Sequence, residues 1–408
     1  MQNIEECAPH SILDQDLYKF CMQQAVLEHY PDVEVEYGFI NRDRSTKFTK
    51  ESFAWLQHKI SELSSLVATS EDIAYLRTAC PYLSPEYLDY LSQFRFNPAA
   101  EVSCELNKNT GSLDLRIKGK WCQVILYEII LLALVSESYY KFVDMDWGYN
   151  GQKEKIMAKS AALVSAGCRF AEFGTRRRRD FKTQDIVMSG LLEASTKSPG
   201  YLSGTSNVYL ARKYKVPPVG TVGHEWTMGI AALEGTYENG NSLALNMWQA
   251  TFNGSLGIAL TDTFGTEAFF ANFDHKLASS YDGIRHDSGD PIKFVESVYK
   301  HYRHLGIDPS TKVIVFSDSL NPDIAIHIKK HCEQYAMKCS FGIGTNFTND
   351  FSRISDQSMK SKAVNIVIKL LRCDDKPCVK LSDVKTKHTG DIAEVNRAQI
   401  ELGLHDGE

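Results

Sequence analysis

The sequence of 408 residues lacks several patterns that would assign it to a common class of protein. None of its ten cysteines forms a CxxC pair, which argues against a zinc knuckle and against a disulfide framework. It contains no HExxH, Walker A or GxGxxG motif, so a zinc hydrolase, a P-loop enzyme and a dinucleotide-dependent dehydrogenase are disfavoured. Its first twenty residues are acidic and hold no apolar h-region, so we expect neither a secretory nor a mitochondrial signal.

Long hydrophobic runs and an excess of positive charge are also missing. The longest apolar stretch, "VILYEIILLALV", has 12 residues and contains Glu128, which is too short for a membrane span. The formal net charge is −6, which predicts no overall affinity for polyanions. We therefore expect a cytoplasmic protein in a reducing compartment, with a nuclear location left open, that associates with neither nucleic acid nor membrane.

What the sequence does contain is a change of pattern along the chain. "VEVEYGFI" and "SLDLRIKG" alternate apolar and polar residues, as strands with one wet face do. From 170 to 350, seven short apolar runs each end in a glycine or polar cluster, and helix-like segments follow most of them, which predicts a parallel sheet. We predict an irregular or open α/β barrel over 131–371 and a smaller α+β domain over 1–130, with 372–408 as a candidate for completing it.

Polar side chains follow these runs at the point where each strand is predicted to end. Because chemistry in parallel barrels collects at the carboxyl ends of strands, these residues are candidates for a shared site. Taken singly, each could be a wet loop residue, but a succession with three aspartates, one histidine and two arginines favours a site. They are Glu172 with Arg176, Gly204, Thr205, Ser206, Thr221, His224, Asp262, Arg285, Asp287, Asp318, Gly344 and Thr345.

Four consecutive arginines, in "FGTRRRRD" at 173–180, stand out in an acidic chain. Thr175 is a natural N-cap, so the run is predicted to lie in the first turn of a helix, where cations need a nearby anion. A helix N-terminus with arginine suits phosphate or diphosphate. At 100° per residue, at most two of the four can face one ligand. A nuclear import signal or a nucleic-acid patch is the competing interpretation.

His224 falls directly after a predicted strand, beside Glu225 and at a predicted helix N-terminus. A histidine there is kept neutral, which suits a nucleophile or a general base, and Asp262 could orient its ring. A structural histidine is the plainer alternative. Asp287 and Asp318 suit ribose hydroxyls or Mg²⁺. The residues alone thus favour an enzyme acting on an anionic, phosphorylated sugar, without naming the reaction.

Several motifs, in this order along nearly the whole chain, resemble those of nicotinate phosphoribosyltransferases, a family of type II phosphoribosyltransferases, and the fungal form most. The combination of "FGTRRRR" with "GTVGHEW" is specific to that family. The motifs are "SILDQDLYKFCM", "AEFGTRRRRD", "GTSNVYLARKY", "GTVGHEW", "LTDTFGT", "IRHDSGD", "SDSLN" and "GIGTNFTND".

The resemblance implies a reaction and roles for individual residues. Nicotinate would attack C1 of 5-phosphoribosyl 1-diphosphate to form nicotinate mononucleotide in NAD salvage, with Mg²⁺ held mainly through substrate phosphates. ATP as co-substrate would drive the reaction through a phosphohistidine at His224, with Asp262 as its partner. Implied nicotinate ligands are Tyr18, Phe173, Thr221 and Arg285. Implied phosphoribosyl diphosphate ligands are Arg176, Ser206, Asp287, Asp318, Gly344 and Thr345, while Arg177, Arg178 and Arg179 receive no role.

Some alternatives stay open on this evidence. Nicotinamide and quinolinate are rival substrates within the class, and quinolinate would need a second basic contact that one of the tandem arginines could supply. A nucleic-acid-associated protein using Arg176–Arg179 is the rival from another class. The expected partners are small molecules, and the chain is expected to be a monomer or a homodimer.

Overall fold

The structure is a computed structural model that describes residues 9–196, 198–384 and 387–404. The helices are α1 (Leu17–His29), α2 (Lys50–Glu62), α3 (Ser70–Ala79), α4 (Pro85–Gln93), α5 (Pro98–Glu101), α6 (Trp121–Val124), α7 (Tyr127–Phe142), α8 (Gln152–Ser165), α9 (Phe181–Ser195), α10 (Val208–Tyr214), α11 (His224–Glu234), α12 (Gly240–Phe252), α13 (Thr266–Asn272), α14 (His275–Ser280), α15 (Pro291–His304), α16 (Pro322–Gln334), α17 (Thr345–Thr348) and α18 (Ile392–Glu401).

The strands fall into two main sheets and a short hairpin within these ranges. They are β1 (Glu34–Asn41), β2 (Val102–Leu106), β3 (Leu113–Lys120), β4 (Phe170–Glu172), β5 (Leu202–Thr205), β6 (Ile258–Leu260), β7 (Gly283–His286), β8 (Val313–Phe316), β9 (Lys338–Ile343), β10 (Phe351–Ser352), β11 (Lys360–Ser361), β12 (Ile366–Cys373) and β13 (Lys376–Pro377).

The larger sheet is parallel and runs in the order β5-β4-β9-β8-β7-β6. Helices follow most of these strands, as crossover connections between parallel strands require. In the part of the chain that the structure describes, the edge strands β5 and β6 do not pair with each other, so the sheet does not close into a barrel. The predicted α/β class and open parallel architecture are confirmed.

One of the seven predicted strands is wrong. The run at 217–224 does not form a strand; it makes only an isolated bridge between Pro218 and Thr205, beyond the edge of β5. Pro217 and Pro218 have no backbone N–H, so they cannot donate to a sheet ladder. The remaining backbone contacts are Thr205 N–H to the Pro217 carbonyl at 3.3 Å and Val219 N–H to the Thr205 carbonyl at 2.9 Å. This segment delivers Thr221 and His224 from a loop.

The second sheet is antiparallel, in the order β13-β12-β1-β3-β2. The late strand β12 pairs with β1 along nearly its whole length, from Val35 opposite Cys373 to Asn41 opposite Ile366. Residues 366–373 therefore share a sheet with the N-terminal strands. The domain limits near 130 and 372 stay a prediction.

The long apolar helical segment lies inside the protein. By length and composition alone, Trp121–Phe142 could cross a membrane, but 94% of its most apolar 18-residue window is buried within the fold. Glu128 in that segment is paired with Lys19 of α1, 2.6 Å away. The segment is thus a core helix that carries one charged group toward the site described next.

Candidate active site

The predicted polar residues lie at one edge of the parallel sheet. Glu172 ends β4 and Thr205 ends β5. Asp262 and Asp318 come two residues after β6 and β8, and Gly344 directly follows β9. Because parallel strands end on the same side of their sheet, these positions are neighbours in space although they are far apart in sequence.

His224 and Asp262 form the centre of the site. His224 opens α11, and its Nε2 lies 2.9 Å from Asp262 Oδ1. Asp287 Oδ2 is 3.7 Å from the same nitrogen. Burial, reinforced by the nearby Lys380 ammonium, lowers the pKa of His224 to about 4. The imidazole is therefore neutral at neutral pH, with Nε2–H donating to the Asp262 carboxylate.

Asp262 is fully buried, and both of its oxygens are occupied. Its Oδ2 accepts hydrogen bonds from Ser288 Oγ at 2.6 Å and from Lys380 Nζ at 3.1 Å. Burial opposes ionisation, but attraction from His224 and Lys380 wins and holds the pKa of Asp262 well below its usual range. The carboxylate is ionised and fixed, so it can hold the His224 ring in one orientation.

Arg285, on β7, is held by a dense set of polar contacts. Its Nη1 donates to Thr221 Oγ1 at 2.6 Å and to the Val222 carbonyl at 3.0 Å. Its Nε donates to Ser317 Oγ at 2.8 Å, and Nη2 lies 3.2 Å from Asp287 Oδ1. The guanidinium is thus next to both the 217–224 loop and the acidic groups of the centre.

The two aspartates assigned to ribose or metal sit on neighbouring loops. Against the cost of burial, Arg285 lowers the pKa of Asp287, so this carboxylate is ionised. Asp318 accepts hydrogen bonds from Lys387 Nζ at 2.9 Å and from Ser319 Oγ at 3.1 Å. Both groups are accessible in part, which a ligand contact requires.

The arginine run does not begin a helix, so that prediction is wrong. Thr175–Arg177 form one turn of 3-10 helix, the backbone is extended at Arg178, and α9 starts only at Phe181. The N-cap is Asp180, whose carboxylate accepts from the Thr183 N–H. A helix N-terminus favours negative charge, so an aspartate cap preceded by the arginines is the more stable arrangement.

Two of the four arginines are structural. Arg178 is 1% exposed and Arg179 is 0% exposed. Arg178 makes a bidentate pair with Asp14 at 2.7 and 2.6 Å. Arg179 donates to Asn349 Oδ1 at 2.9 Å and to Ser361 Oγ at 2.7 Å. A basic patch that needs all four arginines on the surface is therefore excluded.

The other two arginines face the site. The Arg176 side chain is 43% exposed, and its nearest carboxylate oxygen, on Glu128, is 4.0 Å away. Although burial opposes its charge, attraction from Tyr18, Glu128 and Asp287 among others raises its pKa. Arg177 donates from Nε to the Ile366 carbonyl at 3.1 Å, while burial and Arg176 lower its pKa to about 10.

A buried ion network lies behind these groups. Lys19 is 0% exposed and lies 2.6 Å from both Glu128 and Glu225. Tyr37 OH donates to Glu225 at 3.2 Å. The network joins α1, which carries Tyr18, to α11, which His224 begins.

Tyr18 and Phe173 each pack closely against glycines of the loops near the site. A Cβ built on Gly223 would lie 3.1 Å from Tyr18 Cε2, so the ring lies directly against the loop before His224. A Cβ on Gly342 would come within 2.3 Å of the Phe173 ring, and one on Gly344 would lie 2.7 Å from the Phe173 carbonyl oxygen. The glycines of the "GIGTN" loop thus make room for Phe173.

The "SGTSN" loop uses its hydroxyls internally. Ser206 Oγ donates to Asp16 at 2.7 Å, and the Leu17 N–H donates to the Ser206 carbonyl at 2.8 Å. Thr205 Oγ1 donates to Glu172, whose pKa burial raises to about 7. Ser206 is buried, and these contacts tie the start of α1 to β5.

Several cations and hydroxyls of this region were not predicted from the sequence. Lys380 reaches Asp262 from the segment that follows β13, and Ser317 directly precedes the predicted Asp318, but neither residue was predicted to belong to the site. Lys369 was not predicted either, because it lies in the middle of β12 rather than at the end of a strand. Burial, followed by repulsion from Lys380, lowers its pKa to about 7.

Acids, an imidazole and guanidinium groups at the carboxyl edge of a parallel sheet define an α/β enzyme that handles an anionic small molecule. Comparison with known sequences narrows this class. Residues 168–405 match the nicotinate phosphoribosyltransferase (NAPRTase) family, and residues 13–136 match its N-terminal domain. The chain belongs to the nicotinate phosphoribosyltransferase family.

Individual relatives agree with this assignment over the full length of the chain. A probable nicotinate phosphoribosyltransferase of Schizosaccharomyces pombe is 48% identical over 407 residues, covering 98% of this chain and 99% of that protein. A nicotinate phosphoribosyltransferase of Methanosarcina mazei is 47% identical over 399 residues, covering 93% and 95%. A crystal structure presented as a nicotinate phosphoribosyltransferase of Saccharomyces cerevisiae has a TM-score of 0.96 at 41% identity, covering 99% and 100%.

Proposed function

We propose that this chain catalyses the transfer of a phosphoribosyl group from 5-phosphoribosyl 1-diphosphate to nicotinate, with release of diphosphate. The observation that carries the proposal is the meeting of Arg285 and Thr221 with the His224–Asp262–Asp287 cluster at one sheet edge. One part of this edge suits a carboxylated ring and the other suits a sugar with anionic ends. Membership of the family supports the same reaction.

The base subsite consists of Arg285, Thr221, Tyr18 and Phe173. A guanidinium recognises a planar carboxylate by charge-assisted hydrogen bonds, and an amide in its place would leave the cation without an anionic partner. Nicotinate is therefore preferred over nicotinamide. Quinolinate would bring a second carboxylate, and the partly exposed Arg176 is the cation that would pair with it.

The phosphoribosyl subsite is assigned to the loops around Asp287 and Asp318, with Arg176 and the Gly344–Thr345 turn near the phosphates. Positive charge develops at C1 and negative charge on the leaving diphosphate, so carboxylates near the ribose and a guanidinium near the diphosphate lower the barrier. Ser206 is assigned to the same subsite because it directly follows β5 at the carboxyl edge of the sheet. Its hydroxyl is already donated to Asp16.

The donor set fits Mg²⁺ that arrives with substrate phosphates. Oδ1 of Asp287 accepts a hydrogen bond from Ser317 and pairs with Arg285. Its Oδ2 lies 3.7 Å from His224 Nε2, which is beyond hydrogen-bond distance. One hard carboxylate oxygen plus phosphate oxygens is a usual magnesium environment. When bound, the ion would supply charge neutralisation at the diphosphate.

ATP coupling rests on the tautomer of His224. Because Nε2–H donates to Asp262, the lone pair is on Nδ1, which is the nitrogen that can attack the γ-phosphorus of ATP. The bond from the γ-phosphorus to the bridging oxygen breaks, ADP leaves, and water later hydrolyses the phosphohistidine to phosphate. Asp262 stabilises the imidazolium character that develops, and the Lys380 ammonium offsets added negative charge.

The direct test follows product formation from labelled nicotinate with and without ATP. We expect nicotinate mononucleotide in both cases and a higher yield with ATP. His224→Ala should abolish ATP hydrolysis and ATP stimulation while slow ATP-independent transfer persists. Unchanged coupling in that variant would remove His224 from the phosphoryl-transfer role, and turnover of nicotinamide or quinolinate at the nicotinate rate would contradict the assigned substrate.

The product is a pyridine mononucleotide, so the proposed place of the enzyme is in NAD salvage. A cytoplasmic location and a monomeric or homodimeric state are part of the same proposal. Fractionation and sedimentation of the tagged, full-length chain would test them together.

A further inference from the structure

One hydroxyl group lies between the two subsites of the proposed reaction. Ser317, the residue after β8, accepts a hydrogen bond from Arg285 Nε at 2.8 Å and lies 2.6 Å from Asp287 Oδ1, to which it donates. Its backbone N–H is anchored to the His286 carbonyl at 3.1 Å. Arg285 and Asp287 are on β7 and the loop after it, so the neighbouring strand supplies the bridge between them.

The donors of Arg285 are unevenly committed. A guanidinium has five N–H groups, one on Nε and two on each Nη. Nε is used by Ser317, and Nη1 is used by Thr221 and by the Val222 carbonyl. Among the described residues, Nη2 has one partner, the Asp287 carboxylate at 3.2 Å. The second N–H of Nη2 is therefore left for a ligand carboxylate.

Without the hydroxyl, a more favourable pair would form. Arg285 and Asp287 are close enough to make a bidentate ion pair through Nε and Nη2, which is the strongest geometry for these two groups. Ser317 prevents it, because its oxygen accepts from Nε while its proton is donated to Asp287 Oδ1 at 2.6 Å, a closer acceptor than the His286 carbonyl at 3.2 Å. The hydroxyl acts as a spacer inside an ion pair.

We propose that Ser317 is a positioning residue that determines specificity: it keeps Arg285 from shifting into a bidentate pair with Asp287, and so holds the second N–H of Nη2 where a carboxylated base can accept it. This inference rests on the proposed function. It explains why a cation and an anion 3.2 Å apart can serve different substrates, one holding the base and the other the ribose side.

The test compares Ser317→Ala with the wild-type chain in steady-state assays with nicotinate and nicotinamide. We expect the nicotinate KM to rise about 10-fold while kcat changes less than threefold, and the preference for nicotinate over nicotinamide to fall by a similar factor. Ser317→Thr keeps the hydroxyl and should restore most of the preference. Ser310→Ala, near the opposite end of β8, is the matched control and should change neither quantity.

A double-mutant cycle adds a readout that a purely structural role would not give. Arg285→Lys removes the Nε donor, so Ser317→Ala should cost little further in that background. Full additivity, or an equal loss of kcat/KM for both bases, would overturn the inference. If Ser317→Ala does not fold, Ser317→Cys carries the same comparison with a weaker donor. Wild-type turnover of nicotinate reports separately on the proposed function.

Discussion

The two halves of the arginine run, Arg176–Arg177 and Arg178–Arg179, lie in different surroundings. Arg178 and Arg179 are buried with close polar partners, whereas Arg176 and Arg177 lie near the site and have few. The backbone changes from a 3-10 turn to an extended conformation between them, which sends neighbouring side chains in different directions. Consecutive arginines thus have different roles, because the local backbone turn decides which of them are buried with polar partners and which stay available to a ligand.

The largest effect should come from breaking the structural half. Arg178→Met leaves the Asp14 carboxylate buried without its bidentate partner, and such losses cost about 3–5 kcal/mol of folding stability. Urea unfolding monitored by circular dichroism measures this. Adding Asp14→Asn should recover part of the loss, since the stranded charge is then gone. A stability change below about 1 kcal/mol would contradict the structural role.

The functional half should show the reverse pattern. Arg176 is partly exposed and, within the described part of the chain, has no carboxylate closer than 4.0 Å, so Arg176→Ala should change stability by less than about 1 kcal/mol. Loss of its charge near the diphosphate should lower kcat/KM for 5-phosphoribosyl 1-diphosphate by about 100-fold. Initial rates at varied substrate concentration would show it. A large drop in unfolding stability with unchanged kinetics would reverse the assignment of the two halves.

A smaller effect on stability is expected from Lys369, a cation outside the arginine run. The folded-state pKa of Lys369 is lowered to about 7, so below pH 7 the fold holds a charge that it disfavours. Between pH 7 and about 10.5 the unfolded chain keeps the proton that the folded chain releases, so this group adds stability as the pH rises. Lys369→Met should therefore stabilise the protein by about 1 kcal/mol at pH 6.5 and by less at pH 9.5.

Unfolding free energies of both proteins at the two pH values check this prediction. A stabilisation that grows with pH would contradict this prediction. It would show that neighbouring groups offset the cost of holding the charged Lys369 in the fold. Anionic phosphate should raise the pKa of the lysine and reduce the difference at pH 6.5, while chloride at equal ionic strength is the control.

Much of the site was predictable because parallel strands bring their carboxyl ends together. Asp262, Arg285, Asp287 and Asp318 each follow or end an apolar run, and that pattern alone identifies them. The open α/β class followed from the same alternation of strands and helices. The prediction of a strand at 217–224 was wrong because it gave more weight to the apolar residues than to the two prolines. The missing N–H of a proline can be read directly from the sequence.

The rest depends on contacts that no local pattern records. Lys380 meets Asp262 across 118 residues, and Lys19 meets Glu225 across 206. Neither lysine lies in a motif that specifies its partner. The start of α9 was misplaced because Thr175 and Asp180 are both good caps, and the choice depends on the burial of Arg178 and Arg179.

The pairing of β1 with β12 has a consequence for how the chain is made. Phe39 lies opposite Ile368, so β1 gains this neighbour only after about 330 further residues have been synthesised. At about 5–20 residues per second the delay is roughly 15–65 s. During that time β1 has an open ladder edge, and nascent chains on one messenger could pair through it. A chaperone that shields this edge until β12 emerges would raise the yield of active enzyme.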